Sequence, residues 1–215
     1  GPVKDISGST VIDLTKKPYL IVREGAESLD EIKKKLPDVE FKRRKEKFQV
    51  TFVCSGNICR SAMAKGILSE VLSKTRFKDL IIVESAGTLK LASGPAHPLT
   101  VEIAAEHGID LSTHQAKPIS QAIVEQSDLL IAMAVNHYEF LRAHFPDHKE
   151  KIILLKEWHR STKLANPSVA DPIGHDRPFF EKTFREIQSE IKRILPYLFG
   201  EVKKFIAYHE IRMDE

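Results

Sequence analysis

The sequence has few cysteines, few aromatic residues and no long apolar run. Two cysteines in 215 residues exclude a secreted domain that is held together by disulfides. No apolar run approaches the roughly 20 residues that a membrane-spanning helix needs, and the longest lies near residues 129–135. The chain does not open with a signal-peptide pattern. These absences predict a cytoplasmic protein that has no membrane partner.

Net charge of one sign is also scarce, because 33 basic residues face 30 acidic ones. Residues 1–47 hold 12 basic and 9 acidic residues, whereas the rest of the chain holds 21 of each. The stretch 33–47, from Lys33 to Lys47, carries eight basic and three acidic residues. It is either a solvated linker or a patch that contacts RNA or another polyanion. The change near residue 47 predicts an N-terminal extension over 1–47 and a main domain over 48–215.

From residue 48 onward, short apolar runs alternate with amphipathic stretches, as in repeated β-α units. The pattern predicts an α/β domain in which helices cover both faces of a parallel sheet. Pro118 and Pro178 are expected to start helices. Residues 161–178 contain several prolines and are expected to form an irregular, functional loop. Strands are expected at 49–53, 80–84, 129–133 and 151–155, and helices at 61–75, 99–107, 119–127, 136–144 and 179–203.

The most informative motif lies between the first of these strands and the first helix. A loop that wraps round a helix N-terminus can point its N–H groups at a phosphate, and Arg60 adds a planar fork for two oxygens. The helix dipole and the guanidinium favour the thiolate of Cys54, and Ser61 can donate its hydroxyl to that sulfur. Gly56 and Asn57 tolerate left-handed backbone conformations. The residues of this loop are Cys54, Ser55, Gly56, Asn57, Ile58, Cys59, Arg60 and Ser61.

The chain resembles the low-molecular-weight protein tyrosine phosphatases and their arginine-phosphatase and arsenate-reductase relatives. The matching residues are 53–64 (VCSGNICRSAMA), 85–88 (SAGT) and the pair Asp171-Pro172. The resemblance covers about residues 48–200. It implies a four-stranded parallel sheet flanked by helices, with the phosphate-binding loop between the first strand and the first helix. It also implies a phosphatase that forms a cysteinyl-phosphate from a phosphorylated protein or small aryl phosphate, without a cofactor or metal.

The resemblance assigns three further residues. Asp171 is implied to be the general acid, although an aspartate before a proline also fits a helix cap, and Asp176 is the alternative acid. A hydrogen-bond network that joins Asn57 to Ser85 and His114 is implied to support the loop. The histidines show no metal-binding spacing, because Pro146 interrupts the one pair that is four residues apart.

The substrate is predicted from the residues around the expected pocket mouth. Tyrosine phosphatases of this family have aromatic residues there, whereas this chain has Leu, Lys and Leu at 89–91 and Ile and Gly at 173–174. Phe179 and Phe180 are candidates for a substitute aromatic wall. Ile58 stands where the phosphoarginine relatives carry a threonine, which favours phosphotyrosine, with protein arginine phosphatase as the alternative activity.

Three alternatives stay open for this motif. The first is an arsenate reductase, although arsenate reductases need further cysteines near the loop and none follows Cys59. Cys59 is either a redox partner that forms a reversible disulfide with Cys54 or a buried spectator thiol. The domain could also bind phosphate without catalysis and be joined to an RNA-contacting basic stretch.

The first residues carry a second resemblance. Residues 7–14 (SGSTVIDL) and 20–26 (LIVREGA) resemble the C-terminal edge of a threonylcarbamoyl-AMP synthase domain. Two strands and a helix over 28–36 are expected there. We interpret this segment as a remnant of a fused synthase domain, and no synthase activity is expected of it.

Overall fold

The structure is a computed structural model that describes residues 8–90, 92–211 and 213. Ser7 and Leu91, which belong to the motifs above, lie outside the described residues. The chain forms two compact units, one made of residues 47–200 and the other of the residues up to Glu46 together with those from Glu201 on. Among the described residues, no helix combines the length and the apolar composition needed to cross a bilayer.

The smaller unit contains a three-stranded sheet in the order β1–β2–β3. Strand β2 pairs antiparallel with β1 and parallel with β3. The helix α1 is stabilised by a capping box in which Ser28 and Glu31 exchange hydrogen bonds with each other's backbone. Apolar side chains from β2, α1 and β3 form one buried cluster. The elements are β1 (Val11–Asp13), β2 (Tyr19–Arg23), α1 (Leu29–Lys35) and β3 (Phe41–Arg43).

The expected two strands and helix are present in this unit, but β3 was not expected. It lies inside the basic stretch 33–47, so that stretch is more than a linker. The sequence pattern does not indicate β3, because Phe41 is the single apolar residue of this strand and is followed by Lys42 and Arg43. One buried side chain in a three-residue strand gives no alternating pattern.

The larger unit contains a four-stranded sheet in the order β5–β4–β6–β7, and all of its strand pairs are parallel. The strands are β4 (Phe48–Cys54), β5 (Ile81–Gly87), β6 (Leu129–Ala132) and β7 (Ile152–Leu154). Six of the seven residues of the inner strand β4 are buried, and Val50, Phe52 and Val53 are completely buried. Strands with both faces covered read as continuous apolar runs, which is why all four were predicted within a few residues.

The helices that begin in this unit start within a few residues of their predicted positions, and the last of them continues to His209, beyond the predicted end at residue 203. Cys59 precedes α2, and Pro178 is the second residue of α6, as expected of a proline at a helix start. The helices are α2 (Arg60–Ser73), α3 (Pro98–Glu106), α4 (Gln121–Gln126), α5 (Val135–His144) and α6 (Arg177–His209), with a 3₁₀ helix over Pro146–Lys151. Residues 161–176 contain no regular helix or strand, which confirms the irregular loop.

The prediction that Pro118 starts a helix is wrong. Helix α4 begins at Gln121, where the Ser120 side chain accepts a hydrogen bond from the N–H of Ile123. Pro118 instead forms an isolated bridge beside Gly87 at the end of β5. Its neighbours make both hydrogen bonds of that bridge, because Gly87 N–H donates to Lys117 and the Ile119 N–H donates to Gly87. The residue between Lys117 and Ile119 therefore takes part in the bridge without an N–H of its own, which suits a proline.

Candidate active site

The phosphate-loop motif connects the end of β4 to the start of α2. Helix α2 has no side-chain cap at its N-terminus, so its first N–H groups are available to an anion. Asn57 has a φ of 57°, as predicted for a tight left-handed position. The same prediction is wrong for Gly56, which is not among the described residues with positive φ. A Cβ on Gly56 would make only an ordinary contact, 3.5 Å from Ile58 Cγ1.

The sulfur of Cys54 lies next to the Ser61 hydroxyl, which can donate a hydrogen bond to it. Ser61 Oγ lies 3.0 Å from Cys54 Sγ, and both residues are buried. Asn57 Nδ2 donates to the same Ser61 oxygen over 2.9 Å. Because that amide occupies an acceptor site on the serine, the Ser61 proton is free to point at the sulfur. The arrangement stabilises a negative charge on Cys54 Sγ.

Asn57 makes two hydrogen bonds besides the one to Ser61. Its Oδ1 accepts the Lys117 N–H over 3.0 Å, which fixes which end of the amide faces Ser61. Its backbone carbonyl lies 2.7 Å from His114 Nε2. A carbonyl can only accept, so His114 carries its proton on Nε2. Burial lowers the pKa of His114, which favours this neutral form.

The support network differs from the predicted one in one member. Asn57 and His114 are brought together as expected, and Ser85 is buried on β5. Among the described residues, however, no hydrogen bond joins the Ser85 side chain to Asn57 or His114, and Ser61 takes the place expected of Ser85. The sequence contained both serines, and spacing alone could not tell which one the Asn57 amide reaches.

Arg60 is the buried cation of the site. Its Nη1 donates to the Val169 carbonyl over 3.2 Å, and its Nη2 lies 2.5 Å from Asp171 Oδ2. Its Nε is buried without a hydrogen-bond partner. An unpartnered charged donor is costly inside a protein, and an oxyanion in the loop would supply the missing acceptor. The structure thus brings Asp171 to the loop that carries Cys54 and Arg60, although Asp171 lies 111 positions after Arg60 in sequence.

These residues line one cavity of about 240 Å³. Ligand sites for drug-sized molecules start at roughly 300 Å³, so this cavity suits a phosphoryl group and the first atoms of a side chain. Leu89 and Ile173 stand at its mouth and are 57% and 47% exposed. The described residues that line it are Cys54, Ser55, Gly56, Ile58, Cys59, Arg60, Leu89, Asp171 and Ile173.

None of those nine lining residues is aromatic, and the idea that Phe179 or Phe180 restores an aromatic wall is wrong. Phe180 is completely buried and stacks on His97 with ring centroids 4.8 Å apart. Phe179 stacks on His175 at 4.1 Å and lines a second cavity next to Lys182. Helix α6 therefore uses both rings for packing.

Asp176, the alternative acid, lies at the start of α6 and not in the cavity. Its Oδ1 accepts the N–H of Phe179 over 3.2 Å, as in a helix cap. Asp171 also accepts a local hydrogen bond, from the Ile173 N–H over 3.3 Å. Only Asp171 combines this with a contact to Arg60, and its side chain is 46% exposed.

The end of β5 packs tightly against the loop at Gly87. A Cβ at this position would lie 2.5 Å from the Ser55 carbonyl oxygen and 3.2 Å from the Asn57 nitrogen. Both atoms belong to the backbone, so no rotamer change relieves the contact. Gly87, the glycine of the SAGT motif, is therefore required for the close approach of β5 to the loop.

Cys59 is the second thiol of the loop, and both cysteines are free. Burial is the main reason that the pKa of Cys59 is raised to about 12. At neutral pH it is a protonated thiol and a poor nucleophile. In the described part of the chain, no group of three or more His, Cys, Asp and Glu side chains is placed to hold a metal ion.

His137 was not predicted to belong to the site. It lies on α5, is completely buried, and places Nε2 2.9 Å from Ser55 Oγ. A signal for it existed in the sequence, because β6 is parallel to β4 and the residues that follow neighbouring parallel strands meet at one edge. The fold prediction contained these elements, but His137 was assigned only to a helix.

Comparison with known proteins gives a consistent set of matches. The family described as low molecular weight phosphotyrosine protein phosphatase matches residues 49–205. A protein-arginine-phosphatase of Bacillus subtilis is 29% identical over 149 residues, which are 69% of this chain and 95% of that protein. A probable low molecular weight protein-tyrosine-phosphatase of Ralstonia nicotianae is 31% identical over 147 residues, 68% of this chain and 93% of that protein.

A solved structure shares the same fold. The low molecular weight protein tyrosine phosphatase from T. tengcongensis aligns with a TM-score of 0.61 and 34% identity, covering 70% of this chain and 99% of that one. The part of this chain that aligns is comparable in extent to the larger unit.

Proposed function

The chain belongs to the family of low molecular weight phosphotyrosine protein phosphatases, and on that premise we propose that it is a cysteine-dependent phosphatase acting through a cysteinyl-phosphate. The observation that carries this proposal is the cavity lined by Cys54 and Arg60, where the Ser61 hydroxyl lies 3.0 Å from Cys54 Sγ and Arg60 Nε has no hydrogen-bond partner. It provides a nucleophile, a donor to that nucleophile and a site for the phosphoryl oxygens.

In the first step, Cys54 Sγ attacks phosphorus and the bond to the leaving oxygen breaks. Asp171 protonates that oxygen as it leaves. In the second step, water attacks the thiophosphate, Asp171 takes a proton from the water, and the sulfur departs as a thiolate that Ser61 stabilises. Inorganic phosphate is the second product.

The ion pair between Arg60 and Asp171 has a role in this cycle. Asp171 Oδ2 lies 2.5 Å from Arg60 Nη2. A phosphoryl dianion in the loop would compete for the guanidinium, which would free the Asp171 carboxyl group from its ion pair. Substrate binding therefore prepares Asp171 to act as the acid.

We expect Asp171→Asn to slow hydrolysis in a way that depends on the leaving group. An amide cannot supply the proton, and general acid catalysis contributes roughly 10²- to 10⁴-fold. The loss of kcat should be large for phenyl phosphate and much smaller for an aryl phosphate whose phenol is strongly acidic. Asp176→Asn is the matched control, because asparagine also caps a helix. Equal losses for both leaving groups, or an equal effect of Asp176→Asn, would contradict the assigned acid.

Phosphotyrosine is the substrate class we propose, with phosphoarginine as the alternative. The cavity wall at Ile58, Leu89 and Ile173 is aliphatic, and isoleucine at 58 offers no polar group to a guanidino nitrogen. The relatives themselves include tyrosine phosphatases and an arginine phosphatase at similar identity.

The choice between these substrates is tested at residue 58. The wild type should hydrolyse a phosphotyrosyl peptide faster than a phosphoarginyl peptide, measured as kcat/KM. Ile58→Thr should shift the ratio toward phosphoarginine, whereas Ile58→Val, which has threonine's shape without its hydroxyl, should not. A wild-type preference for phosphoarginine would reverse the assignment.

We also propose that Cys54 and Cys59 can form a reversible disulfide after Cys54 is oxidised. The high pKa of Cys59 makes this step slow at neutral pH, because the thiolate is the attacking form. Mass spectrometry of the peroxide-treated protein should find the disulfide, and sulfinic acid at Cys54 without any disulfide would contradict it.

A cysteine nucleophile needs a reducing compartment, so we propose that the protein is located in the cytoplasm, which cell fractionation would test.

The basic stretch 33–47 is proposed as a weak contact for RNA or another polyanion. Most of its Lys and Arg side chains are exposed, although Lys35 pairs with Glu27 and Arg43 with Glu24. Binding should weaken with rising salt. Binding that survives neutralisation of residues 42–45 would count against this contact.

We propose that residues 1–47 derive from the edge of a fused threonylcarbamoyl-AMP synthase domain and that the phosphatase domain begins at about residue 48. The support is the STVID motif, whose last three residues form β1, and the REGA motif, which starts at the last residue of β2. A solved synthase whose corresponding strands pair in another order than β1–β2–β3 would contradict the origin. Limited proteolysis that never cuts near residue 47 would contradict the boundary.

A further inference from the structure

His137 is a buried polar side chain beside the cavity that has no part in the proposed reaction. Its Nε2 lies 2.9 Å from Ser55 Oγ, and its Nδ1 is buried without a hydrogen-bond partner. Ser55 in turn lines the cavity. The order of the parallel strands could place His137 at the edge of the sheet that carries the loop, but only the fold shows its contact with Ser55.

The protons of this contact can be assigned from the partners. Arg60 Nη2 lies 3.3 Å from Ser55 Oγ, and a guanidinium has only donors, so the Ser55 oxygen accepts from it. Burial lowers the pKa of His137 to about 4, so the ring is neutral at pH 7 and carries one proton. A proton on Nδ1 would leave a buried N–H without an acceptor, whereas a proton on Nε2 leaves only an unused lone pair. Proteins tolerate the second situation better than the first.

With its proton on Nε2, His137 donates to Ser55. The Ser55 oxygen then accepts from both His137 and Arg60, and a hydroxyl oxygen has two lone pairs. Its own proton has to point in a third direction, and the cavity is the space that Ser55 lines. We propose that His137 is a positioning residue that directs the Ser55 hydroxyl into the cavity as an additional donor to the phosphoryl group. The inference rests on the proposed function, because it assumes that an oxyanion occupies the cavity.

Binding of inorganic phosphate tests this positioning without any turnover. Calorimetry on the full chain in a Cys54→Ser background compares Ser55→Ala, His137→Gln and His137→Asn. Glutamine can place a donor where His137 Nε2 lies, whereas asparagine is too short to do so. A hydrogen bond to a charged group contributes about 1.5 kcal/mol or more, so Ser55→Ala and His137→Asn should each weaken phosphate binding roughly 10-fold. His137→Gln should stay within about threefold of the parent.

The double variant Ser55→Ala/His137→Asn decides whether His137 acts through Ser55. It should bind phosphate as Ser55→Ala does, because the hydroxyl that His137 directs is already gone. A further 10-fold loss in the double variant, equal effects of Gln and Asn, or unchanged binding in Ser55→Ala would each overturn the proposal. If His137→Asn does not fold, His137→Gln has to retain phosphate affinity while Ser55→Ala loses it. Failure of the proposed function would instead appear as absence of hydrolysis by the wild type.

Discussion

Replacing Cys54 by serine is expected to lower kcat for an aryl phosphate by at least roughly 10³-fold. A serine hydroxyl is a weak nucleophile at neutral pH, whereas the Cys54 sulfur receives the Ser61 hydroxyl at 3.0 Å. The phosphate-binding donors of the loop and Arg60 are left in place. Inorganic phosphate should therefore bind the variant within a few-fold of the wild type, as measured by calorimetry.

Cys59→Ser is the matched control for this variant. It makes the same exchange in the same loop at a thiol whose raised pKa, about 12, keeps it protonated at neutral pH. We expect it to retain at least about a tenth of the wild-type kcat. If Cys59→Ser abolished turnover and Cys54→Ser did not, the nucleophile would have been assigned to the wrong cysteine.

Replacing Gly87 by alanine is expected to have the second largest effect. The new methyl group would lie 2.5 Å from the Ser55 carbonyl oxygen, and separating them requires either the loop or the end of β5 to move. Displacing a reactive group by about 1 Å can cost roughly 10²-fold in rate, and overpacking costs about 1–3 kcal/mol of stability. Steady-state kinetics and chemical unfolding would measure the two losses separately.

Gly66→Ala separates the effect on the loop from a general effect of crowding. A Cβ on Gly66 would meet the Ile109 side chain at 2.6 Å, so the contact is just as close but involves a side chain away from the cavity. We expect a change in the free energy of unfolding with kcat/KM kept within about threefold. A loss of activity in Gly66→Ala as large as in Gly87→Ala would show that crowding anywhere in the unit disturbs catalysis.

The sequence was sufficient to predict the sheet of the larger unit and the loop that carries Cys54 and Arg60. Both depend on local pattern, because buried parallel strands are apolar runs and the loop is one continuous segment. Strand β3 was missed because one buried phenylalanine gives no period. Pro118 was misassigned because its missing N–H suits a bridge between Lys117 and Ile119 as well as a helix start.

The parts of the site that sequence reasoning missed are contacts between distant segments. The choice of Ser61 over Ser85 as the partner of Asn57, the need for glycine at 87, and the contact of His137 with Ser55 all depend on distances between separate elements. Hydrophobic periodicity places an element in a layer but does not specify these distances. Asp171 was found only because the resemblance supplied it, since aspartate before proline is common at helix starts.

Trapping the covalent intermediate tests the central claim most directly. Asp171→Asn should slow hydrolysis of the thiophosphate, so the variant is mixed with an aryl phosphate that has a good leaving group and is quenched within one turnover. Mass spectrometry should then find up to one phosphoryl group per chain, on the peptide that contains Cys54, together with a matching burst of the phenol. A burst without phosphorylated protein, or a phosphoryl group on another residue, would contradict the mechanism.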